Sequence, residues 1–316
     1  MYGNTNRKIN PLGISHHIAQ IVETLNGYNL DEVVITGGGE PLYAIKEVSY
    51  LLGNIKASSL TINTSGNWCG RGSNDEVVLK IIREMAPRFK KIEVRFSIDM
   101  FHQAKTPTDA IMTFVHELLG KSASNVTSSF RSLLIEDEMF DRFAMNYLDE
   151  IGSDFDHDDL SVKLKSGIYS KIKFSPIFFT GKILGMRLQS DLDFVRVEDY
   201  MSLAGGREGG YRPFSYMSGP NLTIKPSKRI VNYCGILNMV CEFPYLDLDQ
   251  YLHSICDHQV ILAANDIGLN GLYLIASSFD KRIKRVISET NNFNCILPLV
   301  NSSEARENII ACATGG

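Results

Sequence analysis

The chain carries no strong charge of either sign: 32 Lys and Arg against 36 Asp and Glu leave a net charge of −4 and a pI of about 6.0. So even a balance gives no electrostatic case for a nucleic acid or a membrane surface as partner. There is no apolar run of about 18 residues and no basic-then-apolar leader, so we expect no membrane span, no secretion and a cytoplasmic protein. The sequons at Asn125 and Asn221 are then chance matches. Cys-x-x-Cys pairs are also lacking. The six cysteines (Cys69, Cys234, Cys241, Cys256, Cys295 and Cys312) are scattered, which points to reduced thiols rather than a disulfide framework or a structural zinc site. Neither a phosphate-binding Gly-Lys-Ser/Thr nor a Gly-x-Gly-x-x-Gly fingerprint occurs. What is present is ordinary globular material: 316 residues, 44% hydrophobic and 22% charged, enough for one large domain with an appendage.

Strands and helices alternate through the first 175 residues. Ile14, Ile18, Ile21, Val22 and Leu25 recur at helical spacing, with Gly27 as C-cap. Residues 32–36 read as a strand, 42–52 as a helix stopped by Gly53, and 60–64 as a short strand. Ser73 can cap a helix over 74–85 that Pro87 closes. Alternating Ile92, Val94 and Phe96 mark a strand over 91–97, and Pro107 opens a helix reaching Leu119 with Gly120 beyond. A strand over 128–135, a helix over 136–148 and a strand over 169–174 follow. This alternation predicts an α/β fold with a parallel sheet, open or rolled into a barrel. No strand precedes the first helix. Residues 1–13 are polar and turn-rich, like the tail of a strand-to-helix loop, so a first strand is missing from the pattern.

Beyond residue 180 the pattern changes. Residues 202–220 hold Gly205, Gly206, Gly209, Gly210, Gly219, Pro213 and Pro220, the composition of a long loop or domain junction. Residues 222–224 and 229–233 read as a hairpin ending at Cys234, and 248–262 and 303–311 as helices. The expected domains are 1–184 and a C-terminal appendage over 185–316.

Four strands end in polar groups. The run Val33-Val34-Ile35-Thr36-Gly37-Gly38-Gly39-Glu40-Pro41-Leu42 is a β-branched strand opening into three glycines and a carboxylate. Glycines there let the main chain approach a ligand. The plain alternative is a glycine-rich turn with some anion affinity, but Glu40 repels phosphate and suits an ammonium group better. The second strand ends in Asn63-Thr64-Ser65-Gly66-Asn67-Trp68. In the third, alternation puts Ser97 and Asp99 on one face, a hydroxyl and a carboxylate that can hold a ribose diol or cap a turn. In the fourth, Arg131 lies within an apolar strand and wants a partner, either a ligand carboxylate or a neighbouring acid. Strand C-terminal ends are where α/β sheets and barrels place ligands, and these groups together suit a ligand with an amino acid end and a ribose.

These residues resemble the radical S-adenosylmethionine (radical SAM) enzymes. Thr36 to Leu42 is similar to that family's GGE motif, residues 63–68 to the ending of its third strand, and Ser97-Ile98-Asp99-x-Phe101-His102 to the ending of its fourth. Arg131 and the segment from Phe174 through Pro176 to Lys182 have looser counterparts. The resemblance implies a partial (β/α)6 TIM-like barrel with parallel strands, its first strand missing, plus a smaller α+β appendage. It implies S-adenosylmethionine as cofactor, with Gly38, Gly39 and Glu40 at the methionine amino group, Asn63 beside the site, Ser97 and Asp99 at the ribose and Arg131 at the carboxylate. It further implies a [4Fe–4S] cluster in the full-length protein, a one-electron reductant such as flavodoxin or ferredoxin, and a 5′-deoxyadenosyl radical abstracting hydrogen from a peptide or small-molecule substrate. The hairpin before Cys234 is similar to the entry of a SPASM or twitch appendage, which makes Cys234, Cys241 and Cys256 candidates for an auxiliary cluster. A cluster-free appendage is the favoured reading.

The family's CxxxCxxC loop is not found here. It belongs upstream of Met1, with the missing strand, and an N-terminally truncated and therefore inactive chain accounts for both absences. Two alternatives stand beside this expectation. One is a non-catalytic SAM- or nucleoside-binding relative without a cluster. The other is an unrelated α/β-barrel lyase or metal-dependent hydrolase using Glu40 and Asp99.

Overall fold

The computed structural model of the chain describes residues 17–36, 40–72, 74–98, 108–134, 152–156, 161–164, 169–176, 222–224, 229–232, 241–242, 259–283, 285 and 302–314. Two compact units divide it, one over Ser15–Ser175 and the other over Pro176–Gly316.

In the first unit the order is α1 (Ile18–Leu25), β1 (Leu30–Ile35), a 3-10 turn (Pro41–Tyr43), α2 (Ile45–Asn54), β2 (Ala57–Thr64), α3 (Asn74–Met85), β3 (Lys91–Ser97), α4 (Thr108–Lys121) and β4 (Val126–Leu134). β1 to β4 are neighbours in chain order and pair in parallel, as strand–helix–strand units do. Three further strands, β5 (Gly152–Asp156), β6 (Ser161–Leu164) and β7 (Tyr169–Pro176), complete a seven-stranded sheet in the order β1-β2-β3-β4-β7-β6-β5. β5–β6 and β6–β7 are antiparallel, so the sheet is mixed rather than wholly parallel. The sequence of residues 150–168 shows no apolar alternation, which is why β5 and β6 are not foreseen. The helix expected over 136–148 lies outside the described residues.

The expected bounds hold to the residue for α3 and β3. Elsewhere distant partners move them. α2 begins at Ile45 because Pro41–Tyr43 forms a separate 3-10 turn, capped by a hydrogen bond from Leu42 N to Glu40 Oε1 at 3.1 Å. It runs through Gly53 because the Asn54 carbonyl finds a donor in Asn26 Nδ2 (2.9 Å), while Lys56 N donates to Asn26 Oδ1 (2.7 Å). α4 likewise continues through Gly120 to Lys121, which pairs with Glu117 at 3.2 Å. Asn125 is committed structurally, since its Nδ2 donates to the carbonyls of Ala86 and Phe89.

The core lies on one face of β2–β4. Leu60 and Ile62, Ile92, Val94 and Phe96, and Val126 and Phe130 pack in one cluster with Val48 and Leu52 of α2, Val78, Leu79 and Ile82 of α3, and Ile111, Phe114, Val115 and Leu118 of α4. Trp68 and Phe114 meet edge to face at 4.7 Å.

In the second unit β8 (Leu222–Ile224) and β9 (Arg229–Asn232) form the expected antiparallel pair, and β10 (Cys241–Glu242) adds on the other side of β9. Two helices, α5 (Gln259–Phe279) and α6 (Ser303–Thr314), pack on each other. α5 starts near the end of the helix expected at 248–262, and residues 248–258 lie outside the described residues. Asn265, Gly268, Asn270 and Gly271 are poor helix formers. Burial of Ala263, Leu272 and Ala276 in α5, with Ala305 and Ile309 in α6, overrides them. Among the described residues no helix is long and apolar enough to cross a membrane.

Candidate functional site

The C-terminal ends of β1–β4 lie along one rim of the sheet, because the strands are parallel and in register. Glu40 follows β1 and reaches across to the end of β2. Oε1 accepts from Leu42 N (3.1 Å) and Thr64 Oγ1 (2.8 Å), and Oε2 from Ser65 N (2.8 Å) and Ser65 Oγ (2.7 Å). Two donors on each oxygen fill the roughly four acceptor positions of a carboxylate. Thr64 Oγ1 in turn accepts from Gly66 N (3.0 Å) and from the indole N–H of Trp68 (2.8 Å), so a chain of hydrogen bonds runs from Glu40 into the core. Thr64 shares the face of Leu60 and Ile62 by strand alternation. Glu40 is therefore turned toward the helix layer and clamps the β1 end to the β2 end.

Strand alternation puts a second set of groups on the opposite face. Ser97 and Arg131 are register partners at the rim, tied by Ile98 N to the Arg131 carbonyl at 2.8 Å. Ser97 is half-buried and Arg131 exposed. Asn63 lies one step below, partnered in register with Arg95. The rim thus brings Ser97 and Arg131 together, holds Asn63 below them, and places the Glu40 carboxylate on the other side. Gly38, Gly39 and Asp99 lie outside the described residues, as do Cys234 and Cys256; Cys241 belongs to β10, where it opposes Ile230.

Beneath the rim, on that opposite face, is a charged cluster that the sequence reading did not single out. Glu93 is only 7% exposed. Its Oε1 accepts from Arg95 Nη2 (2.8 Å), Arg95 Nε (3.1 Å) and Ser129 Oγ, and its Oε2 from Lys91 Nζ (3.1 Å). Burial works to raise the Glu93 pKa, but the hydrogen bonds from Ser129 and Arg95, the Arg95 charge and Lys91 outweigh it and hold the carboxyl down at about 2. On β2, Thr61 Oγ1 donates to Glu32. The signal was in the sequence: Lys91, Glu93, Arg95 and Ser97 alternate with Ile92, Val94 and Phe96. A parallel sheet covered on both faces reads as near-continuous apolar strands. β2–β4 do not, since the face away from the helices is polar.

A cluster-binding thiolate set does not fit the described residues. Among them no group of three or more His, Cys, Asp or Glu could hold a metal ion. Of the cysteines whose side chains are described, Cys312 is exposed and Cys69 is buried in the core, where burial and the Asp75 and Glu40 carboxylates push its thiol far above the usual range. Such a thiol is a packing group rather than a metal ligand. No protein-family model matches the chain, and no curated protein matches it.

Proposed function

We propose that the chain is a radical SAM-type α/β protein whose β1–β4 sheet curls as part of a barrel, and that it binds S-adenosylmethionine at the C-terminal rim. The main chain of Gly38 and Gly39 takes the methionine amino group, Ser97 and Asp99 take the ribose diol, and Arg131 takes the carboxylate. Glu40 contributes by holding the glycine turn against β2 and by its negative charge. Asn63 stands at the boundary between the rim and the face below.

The observation that carries this reading is the one-sided helix layer. Among the described residues, the parallel strands β2, β3 and β4 present polar side chains on the face away from α2, α3 and α4, which suits a barrel interior and not a doubly wound sheet. In the family it resembles, a [4Fe–4S] cluster supplies the electron that cleaves SAM. The described residues do not supply its ligands, and no step is derived through it. The same rim and polar face suit a second reading equally, a SAM- or nucleoside-binding relative that carries no cluster.

Calorimetry on the full chain tests the binding that both readings share. SAM is expected to bind saturably. Arg131→Ala should weaken SAM while leaving 5′-methylthioadenosine, which has no amino acid end, unchanged. Asp99→Ala should weaken both. No saturable SAM binding at millimolar concentration rejects the proposal. Iron uptake on anaerobic reconstitution separates the two readings.

A further inference from the structure

The polar face below the rim holds two unspent groups on adjacent strands. Arg95 spends Nε and Nη2 on one oxygen of Glu93, with Ser129 at 3.4 Å from Nε, and Nη1 has no hydrogen-bond partner among the described residues. Glu93 is shared with Lys91, so two cations answer to one carboxylate. The Arg95 side chain is 18% exposed, which leaves little water to complete its shell. Asn63, its register partner on β2, has a buried Oδ1 with no partner among the described residues. Buried polar atoms in native proteins are almost always paired, and one that is not calls for an explanation. Parallel neighbours lie about 4.8 Å apart, close enough for one small group to touch both.

From this pairing we infer that Asn63 and Arg95 form a binding site for a carboxylate bearing an adjacent N–H, the chemistry of a peptide carboxyl terminus or an acylamino acid. The carboxylate takes the free edge of the guanidinium, the geometry in which arginine binds carboxylates best. The neighbouring N–H donates to Asn63 Oδ1. Glu93, Ser129 and Lys91 are positioning residues that fix the guanidinium before the ligand arrives. This site stands on the polar face alone and does not depend on what the rim binds.

Calorimetry on the full chain, with and without SAM, tests it using N-acetylglycine, propionate and N-acetylglycinamide. N-acetylglycine should bind saturably, propionate about tenfold more weakly for want of the N–H, and the uncharged amide not at all. Arg95→Lys keeps the charge beside Glu93 but not the fork, and should lose at least tenfold for N-acetylglycine in a protein whose Trp68 emission remains that of the folded parent. Asn63→Leu should make N-acetylglycine and propionate equal. Acetyl-Ala-Ala-Gly binding more tightly than N-acetylglycine identifies a peptide end, and equal binding a small acid. Absence of saturable N-acetylglycine binding in both conditions, or indifference to Arg95→Lys, overturns the site. SAM titrations on the same samples report separately on the rim.

Discussion

Substituting Glu40 by glutamine changes one oxygen to an amide and leaves the shape intact, and the geometry says which bond fails. The amide cannot face Thr64, because Thr64 Oγ1 already accepts from Gly66 N and Trp68 Nε1 and has only its proton left to give. The amide must therefore face Ser65. There the Ser65 hydroxyl can turn to accept, but the Ser65 backbone N–H meets another donor and loses its acceptor. One backbone donor stranded from a charged acceptor costs about 2 kcal/mol. Glu40→Ala strands Leu42 N, Thr64 Oγ1, Ser65 N and Ser65 Oγ together and should cost about 3–4 kcal/mol, since part of the loss is recovered by water. The chain's single tryptophan is Trp68, buried to 1% and two hydrogen bonds from Glu40, so its fluorescence follows this unit alone. With an m-value of about 2 kcal/mol per molar urea, Glu40→Gln should lower the midpoint by about 1 M. A midpoint within about 0.2 M of the parent, at unchanged m, would refute the clamp and return Glu40 to a purely ligand-facing role.

Three further outcomes follow from the same geometry. Thr64→Val leaves the Trp68 and Gly66 N–H groups without an acceptor and should cost about 2–4 kcal/mol, with a shifted tryptophan emission; an unshifted spectrum and midpoint would contradict the relay. Gly66→Ala forces a side chain onto φ +69° and puts its Cβ 2.8 Å from the buried Ile111 side chain, a combined cost of about 2–4 kcal/mol. Gly72→Ala, at φ +75° in open space, should cost only about 1 kcal/mol, and equal losses at the two positions would show that packing at Gly66 is irrelevant. Glu93 is held at about 2 against 4.5 for the free side chain, so its stabilisation is fully present above pH 4.5 and is lost as pH falls toward 2. After allowance for solvent screening this amounts to about 2 kcal/mol, read as the difference in acid sensitivity between parent and Glu93→Gln urea midpoints; parallel curves would count against it.

What could be read in the sequence was local. α3 and β3 announce themselves through apolar spacing within a dozen residues, and the β8–β9 pair through two short runs around Lys225-Pro226. What could not be read depended on partners far along the chain. Gly53 does not end α2, because Asn26, across α1, supplies the cap. Nothing within residues 36–42 tells that Thr64 and Ser65 will occupy Glu40, although the glycine turn and the strand end were both visible. The polar face was legible from Lys91-Ile92-Glu93-Val94-Arg95 alone once alternation is taken at its word. Its meaning came only with the finding that the helices cover the other side.

That polar face also bears on why such a sheet would be kept. Burying a carboxylate between two cations is a poor way to stabilise a fold, since desolvation consumes most of the attraction and an apolar core of equal volume does as well or better. The Thr61, Glu93 and Ser129 side chains are all buried, at 2%, 7% and 3% exposure, in the middle strands where valine and isoleucine would serve stability. Stability is instead supplied on the other face, by Ile62, Val94, Phe96 and Phe130 against the helices. The two faces of β2–β4 therefore divide the work: one is packed, and the other is held polar at an energetic cost. Polar groups fixed in place by neighbours, with Asn63 Oδ1 and Arg95 Nη1 left without a partner among the described residues, are what preorganised recognition requires. The rim and the face beneath it adjoin through register pairs, Asn63 with Arg95 and Ser97 with Arg131.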